Sequence, residues 1–201
     1  VPFTGVVGAA ARCAAAATRT GRIGIIGTQA TIRSGSYQAL LRQLVPDAQL
    51  FAKACPLFVP LVENGYVNDG NPVTKLVIAD YLTELRDTGI DTLILGCTHY
   101  PLLERLIGEF MGPEVALIDP GKATANALDD ALDALELKND RTGGGSVQFY
   151  VSDSTEGFAE LETLFLGRYG GGPVEQIAIE QYGWPPAGQN RQGNAKWMKN
   201  I

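Results

Sequence analysis

Histidine is almost missing from this sequence: among 201 residues there is one, His99. Cysteine is scarce as well. Cys13, Cys55 and Cys97 form an odd, widely spaced set with no Cys-x-x-Cys pair, which with a single histidine excludes a conventional zinc site. Such a set fits reduced thiols in a cytosol. No run of five or more Lys or Arg occurs, and 16 basic residues against 22 acidic ones leave a formal net charge of −6. Nucleic acid and anionic membrane are therefore poor partners. There is no initiator Met, no internal repeat and no low-complexity tract. The alanine-rich opening, residues 1–17, lacks the basic start of a signal peptide, and Arg12 interrupts its apolar run. What remains is ample: 45% of the residues are apolar, enough for the core of one or two domains.

Strand and helix patterns alternate along the chain. Residues 3–7 read as a short strand and 9–20 as an Ala-rich helix closed by Gly21. Residues 22–27 read as a second, buried strand, followed by a loop rich in hydroxyls from Thr28 and Thr31 to Ser34 and Ser36. Such a passage suits either a bound carboxylate or simple capping of a helix over 37–44, and spacing alone does not choose. After a strand over 49–54, residues 55–65 read as a long apolar loop with two prolines that closes on one carboxylate, Glu63. A lone loop Glu is ordinarily solvated, whereas one set against apolar surface suits proton transfer. Asn71-Pro72 starts a helix that Gly89 ends. A helix over 102–110, a strand over 115–118 and an acidic helix over 123–137 follow, the last presenting Asp129, Asp130, Asp133 and Glu136 as a solvated face. A Gly-rich connection, a strand over 147–151, a helix over 155–166 and a strand over 174–179 complete the pattern. The polar segment 180–201 is expected to be disordered. The fold class is α/β with mostly parallel sheet.

One stretch concentrates the chemistry. Thr92 to Leu95 is an uninterrupted apolar, β-branched run, the composition of a strand buried on both faces. Gly96 permits a tight turn, and Pro101 suits the first turn of a helix. Between them stand Cys97, Thr98 and His99: a thiol, a hydroxyl and the sole imidazole. In open α/β sheets ligands bind beyond the carboxyl ends of the strands, where Cys97 falls. A helix N-terminus and an imidazolium are the neighbours that activate a thiol, so Cys97 is expected to be more reactive than Cys13 or Cys55. The competing interpretation is a buried structural cysteine beside a capping histidine.

Three blocks together carry a resemblance: Gly27-Thr28-Gln29-Ala30-Thr31, Cys55-Pro56-Leu57-Phe58-Val59-Pro60-Leu61-Val62-Glu63 and Leu95-Gly96-Cys97-Thr98-His99-Tyr100-Pro101. The chain resembles the glutamate racemases of the aspartate/glutamate racemase superfamily from about residue 1 to 179. The resemblance implies a cofactor-independent, cytoplasmic enzyme that interconverts L- and D-glutamate for peptidoglycan by a two-cysteine acid/base mechanism. It implies catalytic roles for Cys97, His99 and Glu63 and substrate binding by Thr98, His99, Thr28 and Thr31. No metal is implied, the expected partner is the small-molecule substrate glutamate, and a homodimer is left open. The fold implied is two similar three-layer domains with mostly parallel sheets, the first discontinuous. Residues 8–118 would then be the second domain, and 1–7 with 119–179 the surviving parts of the first.

Two departures accompany the match. Family members open with an Asp-Ser-Gly-x-Gly-Gly loop and later carry a Cys-Asn-Thr-Ala segment with the first catalytic cysteine; neither occurs here. Cys13 is followed by a run of alanines from Ala14 and Cys55 belongs to the proline loop, so neither replaces it. The chain thus reads as a racemase without its first third. The alternatives are a related racemase or decarboxylase acting on aspartate, hydantoins or malonates, and a truncated, non-catalytic binding module. A Cys-His hydrolase fits less well, because Cys97 and His99 are too close in sequence for papain-like geometry.

Overall fold

The computed structural model describes residues 4–140, 143–167 and 172–178. The chain divides into a unit Thr4–Lys138 and a second unit beyond it. The expectations for the segment 180–201 and for the ends of the strands 3–7 and 174–179 fall partly or wholly outside the described residues.

In the first unit four parallel strands form one sheet: β1 (Arg22–Gly27), β2 (Gln49–Ala54), β3 (Thr92–Gly96) and β4 (Ala116–Ile118), in the order β2-β1-β3-β4. Parallel neighbours need helical crossovers, and the chain supplies them between each pair. These are α2 (Gln29–Ser34) with α3 (Ser36–Leu44), α4 (Phe58–Glu63) with α5 (Pro72–Asp87), and a 3₁₀ turn (Tyr100–Leu103) with α6 (Glu104–Met111). Strands buried on both faces should be apolar throughout, and all five residues of β3 are buried. Successive side chains then serve opposite faces. Ile23, Ile25 and Ile94 pack with Ala10, Ala11 and Ala14 of α1 (Val6–Ala17) and with Tyr37 and Leu41 of α3. On the other face there is no room for a side chain at Gly24, because Leu85, Ile90 and Leu93 occupy the space a Cβ would need.

The first strand expected from the sequence is not present: Val6 and Val7 open α1. Their β-branching is outweighed by the alanine run that follows, whose small side chains let α1 lie close on β3, β4 and α3. The loop expected over residues 55–65 holds a short helix, α4, despite Pro60. That proline stands in the first helical turn, where no intrahelical N–H is required. The acidic helix begins earlier than expected, as α7 (Pro120–Ala134), with Asp119 capping it through bonds from the Gly121 and Lys122 N–H groups. α7 packs on α1 within the first unit. Its exposed Asp129 and Asp133 pair with Lys138 at 3.0 and 2.6 Å.

Asp91 ties down the amino-terminal end of β3. Its carboxylate is 6% exposed and accepts from the Thr18 and Thr20 hydroxyls and the Arg19 and Thr20 backbone N–H groups at 2.6–2.9 Å. Burial would push its pKa up, but these donors together outweigh it and hold the carboxyl well below the usual carboxylate range.

The second unit contains a parallel pair, β5 (Phe149–Val151) and β6 (Val174–Gln176), and the helix α8 (Phe158–Leu166). Phe149 and Phe158 meet at a tilt, 5.1 Å between ring centres. Among the described residues, no helix is long and apolar enough to cross a membrane.

Candidate active site

The strand order creates the site. From β1 the chain moves to β2 on one side and then to β3 on the other, so the direction of winding reverses between β1 and β3. Crevices at such reversals, outside the carboxyl ends of the strands, are where open α/β sheets take ligands. Gly27 pairs with Gly96 in register, so Thr28 and Cys97 leave adjacent strands at the same level. Close approach requires glycine at 96, where backbone stands in the way, and crowds position 27, where the Thr31 side chain would have to give. A Cβ at Gly96 would lie 2.6 Å from the Ile26 carbonyl oxygen, and one at Gly27 would lie 3.0 Å from the Thr31 methyl.

Cys97 is half-buried in the turn after β3, its N–H donating to the Leu95 carbonyl and its own carbonyl accepting from the Tyr100 N–H. The sequence suggested a helix N-terminus beside this thiol. The structure instead interposes the 3₁₀ turn, with α6 beginning only at Glu104. The polar neighbour of the thiol is the imidazole. Cys97 Sγ lies 3.9 Å from His99 Nδ1, and the Thr98 hydroxyl lies 3.3 Å from the same nitrogen. The other ring nitrogen, Nε2, is 3.1 Å from Glu63 Oε1 at the end of α4. A carboxylate only accepts, so Nε2 carries a hydrogen, and in the neutral ring Nδ1 turns its lone pair toward the thiol. Thiol, imidazole and carboxylate therefore form one line from Cys97 through His99 to Glu63. Its outer end is open, since the Glu63 side chain is 49% exposed and that of His99 20%. A contact so exposed is worth at most about 1 kcal/mol even when the ring is charged, and cannot alone hold the ring in place.

Thr28 and Thr31 face the same end of the sheet. Thr28 caps α2, which the sequence did not separate from the helix after it: the Thr28 hydroxyl accepts from the Thr31 N–H at 3.2 Å. The two hydroxyl oxygens are 3.0 Å apart. Two hydroxyl hydrogens with one contact between them leave one hydrogen available to an anionic ligand. Capping and carboxylate binding, alternatives in the sequence, are compatible in the structure.

Two residues not assigned a role from the sequence also meet the site. Tyr37, buried under Gly96, has its phenol pushed up by burial and, secondarily, by Cys97. Tyr100, fully buried, donates from its hydroxyl to the Cys55 carbonyl at 2.8 Å, and its ring meets Phe58 edge-on at 5.1 Å. Phe58 in turn meets Tyr81 at 5.5 Å. The signal for both was an aromatic residue beside a chemically loaded motif. Cys55 itself faces inward, where burial pushes its thiol up to about 12. Cys13 is exposed on α1.

The structure is thus an α/β protein whose parallel sheet, wound in both directions, carries a thiol, an imidazole, a carboxylate and a hydroxyl pair at its switch point. Comparison with known proteins narrows the class. The Asp/Glu/Hydantoin racemase family matches over residues 1–128, and the chain belongs to that family. It is 44% identical over 180 residues to a glutamate racemase of Geobacter metallireducens, covering 90% of this chain and 66% of that one. Among solved structures it is similar to glutamate racemase isoform RacE1 of Bacillus anthracis, with a TM-score of 0.81 and 32% identity over 88% of this chain and 65% of that one. It is likewise similar to the Francisella tularensis glutamate racemase in complex with D-glutamate, with a TM-score of 0.78 and 30% identity over 88% and 64% of the two chains. The chain thus spans slightly less than two thirds of the length of each of these relatives.

Proposed function

We propose that this chain is part of a cofactor-independent glutamate racemase and carries one of the two thiols that invert Cα. The observation that carries the reading is the Cys97–His99–Glu63 line at the switch point, beside the Thr28–Thr31 hydroxyl pair. The α-hydrogen of an amino acid is very weakly acidic, and the site must stabilise the developing negative charge with oriented donors. In one direction Cys97 as thiolate takes the α-proton, becoming a thiol, while a thiol on the opposite face delivers a proton to Cα. In the other direction the roles exchange, and no electrons are gained or lost. His99 receives or returns the Cys97 proton, and Glu63 orients the ring and offsets its charge. Thr98, Thr28 and Thr31, with His99, contact the substrate.

The domain arrangement proposed is residues 8–118 as the domain bearing Cys97, with 1–7 and 119–179 contributing to the other, although α7 packs on α1 in the unit Thr4–Lys138. The Cys-Asn-Thr-Ala segment that would hold the opposite thiol is not among the 201 residues, so these residues alone are proposed to be inactive. Orientation of reacting groups can account for roughly 7–11 kcal/mol of a barrier, and half a site cannot supply it. D-Glutamate from this reaction would serve peptidoglycan, in the cytosol. The test offers L-glutamate and L-aspartate to the chain extended by a racemase N-terminal segment. Production of D-glutamate supports the reading; production of D-aspartate alone would assign the site to another member of the family.

A further inference from the structure

The Cys97–His99–Glu63 line joins two segments that are 36 residues apart at the His99–Glu63 contact, and that contact is substantially exposed. Something sturdier must hold the segments together. One residue meets the requirement. Tyr100 directly follows His99, yet its hydroxyl donates to the carbonyl of Cys55, where the segment ending in Glu63 begins. Cys55 is itself fixed, its N–H donating to the Gly27 carbonyl at 2.9 Å and its carbonyl also accepting from the Phe58 N–H. Ring contacts from Tyr100 to Phe58 and from Phe58 to Tyr81 complete the junction on α4 and α5. Burial pushes the Tyr100 phenol up, so it remains a donor over the working pH range.

We infer that Tyr100 is a positioning residue: its hydrogen bond to Cys55 sets the distance between the loop of Cys97 and His99 and the helix of Glu63, and thereby aligns the imidazole between thiol and carboxylate. The bond that does this runs from the hydroxyl to a backbone carbonyl, so the role is exerted through the two backbones it joins. That the aligned thiol moves an α-proton rests on the racemase reading; the alignment does not.

Because His99 is the only histidine, its ring N–H is a single, assignable NMR signal in the whole chain. The experiment compares Tyr100→Phe, Glu63→Gln, the double variant and Thr18→Val. The last loses a hydroxyl bond to Asp91 at the opposite end of the sheet and controls for general destabilisation. Each is measured for exchange of the His99 ring N–H with water and for the rate of Cys97 alkylation. Tyr100→Phe keeps the ring, and circular dichroism confirms the fold. The expected result is faster ring N–H exchange and slower Cys97 alkylation in Tyr100→Phe, by roughly two- to tenfold, the range one hydrogen bond allows. Thr18→Val should leave both unchanged, and the double variant should be no worse than Glu63→Gln alone. Unchanged exchange and alkylation in Tyr100→Phe, or fully additive losses in the double variant, would overturn the inference. If the extended chain fails to racemise glutamate while these signals respond as expected, the racemase reading fails and the positioning role stands.

Discussion

Cys55 and Cys97 leave the carboxyl ends of two strands that both flank β1, yet only one of them is placed to react. Cys55 is fully buried and its thiol stays protonated at any physiological pH. Cys97 is accessible and faces an imidazole. Competitive alkylation at pH 7, read by mass spectrometry, should label Cys97 first, Cys13 more slowly and Cys55 only after unfolding. Equal labelling of Cys97 and Cys13 would remove the case for an activated thiol. Asp91 gives the second prediction at this scale. Its folded pKa lies below the unfolded value of about 3.9, so its contribution to stability is fully present above that value and is lost as pH falls toward the folded one. Asp91→Asn turns an amide toward backbone N–H donors and should cost about 2–4 kcal/mol near neutrality. In urea unfolding the gap between the two proteins should narrow below pH 4; a gap independent of pH would contradict the role.

At the scale of elements, the carboxyl ends of β1 and β3 place two glycines side by side. Gly96→Ala would press a methyl against the Ile26 carbonyl, a backbone atom that cannot swing aside. The expected cost is about 1–3 kcal/mol, the range for overpacking, together with a displaced Cys97 turn. A variant as stable as the parent in thermal unfolding would show that the strand ends spread freely. How far the sequence revealed these elements depended on how local their causes are. β3 was legible because five consecutive buried residues leave a compositional trace that needs no tertiary information. The Asn71 cap was legible too, since its bonds run only to Val73 and Thr74. α4 was hidden by Pro60, which reads as a loop residue unless the helix start is known. Residues 3–7 misled because Val6 and Val7 favour a strand locally, while the helix is set by how the alanines behind them pack on the sheet. The site followed the same rule. Cys97, Thr98 and His99 are contiguous and stood out, but the contact of His99 with Glu63 and the reach of Tyr100 to Cys55 span 36 and 45 residues and exist only in the fold.

For the whole molecule, the first unit holds a four-stranded sheet with its own core and the Cys97–His99–Glu63 line at its switch point. Inverting a carbon without a cofactor needs a base on one face and a proton donor on the other, and in the proposed function the residues at this switch point would supply one face. Cys97 is proposed as one of the two thiols. The most direct measurement follows optical rotation or circular dichroism of L-glutamate with three proteins: the 201-residue chain, the chain extended by a racemase N-terminal segment, and the extended chain with Cys97→Ser. A serine hydroxyl is far too weak an acid to serve as the base, so folding should survive and catalysis should not. The expectation is no turnover by the first protein, turnover by the second and none above background by the third. Turnover by the unextended chain, or undiminished turnover in Cys97→Ser, would contradict it.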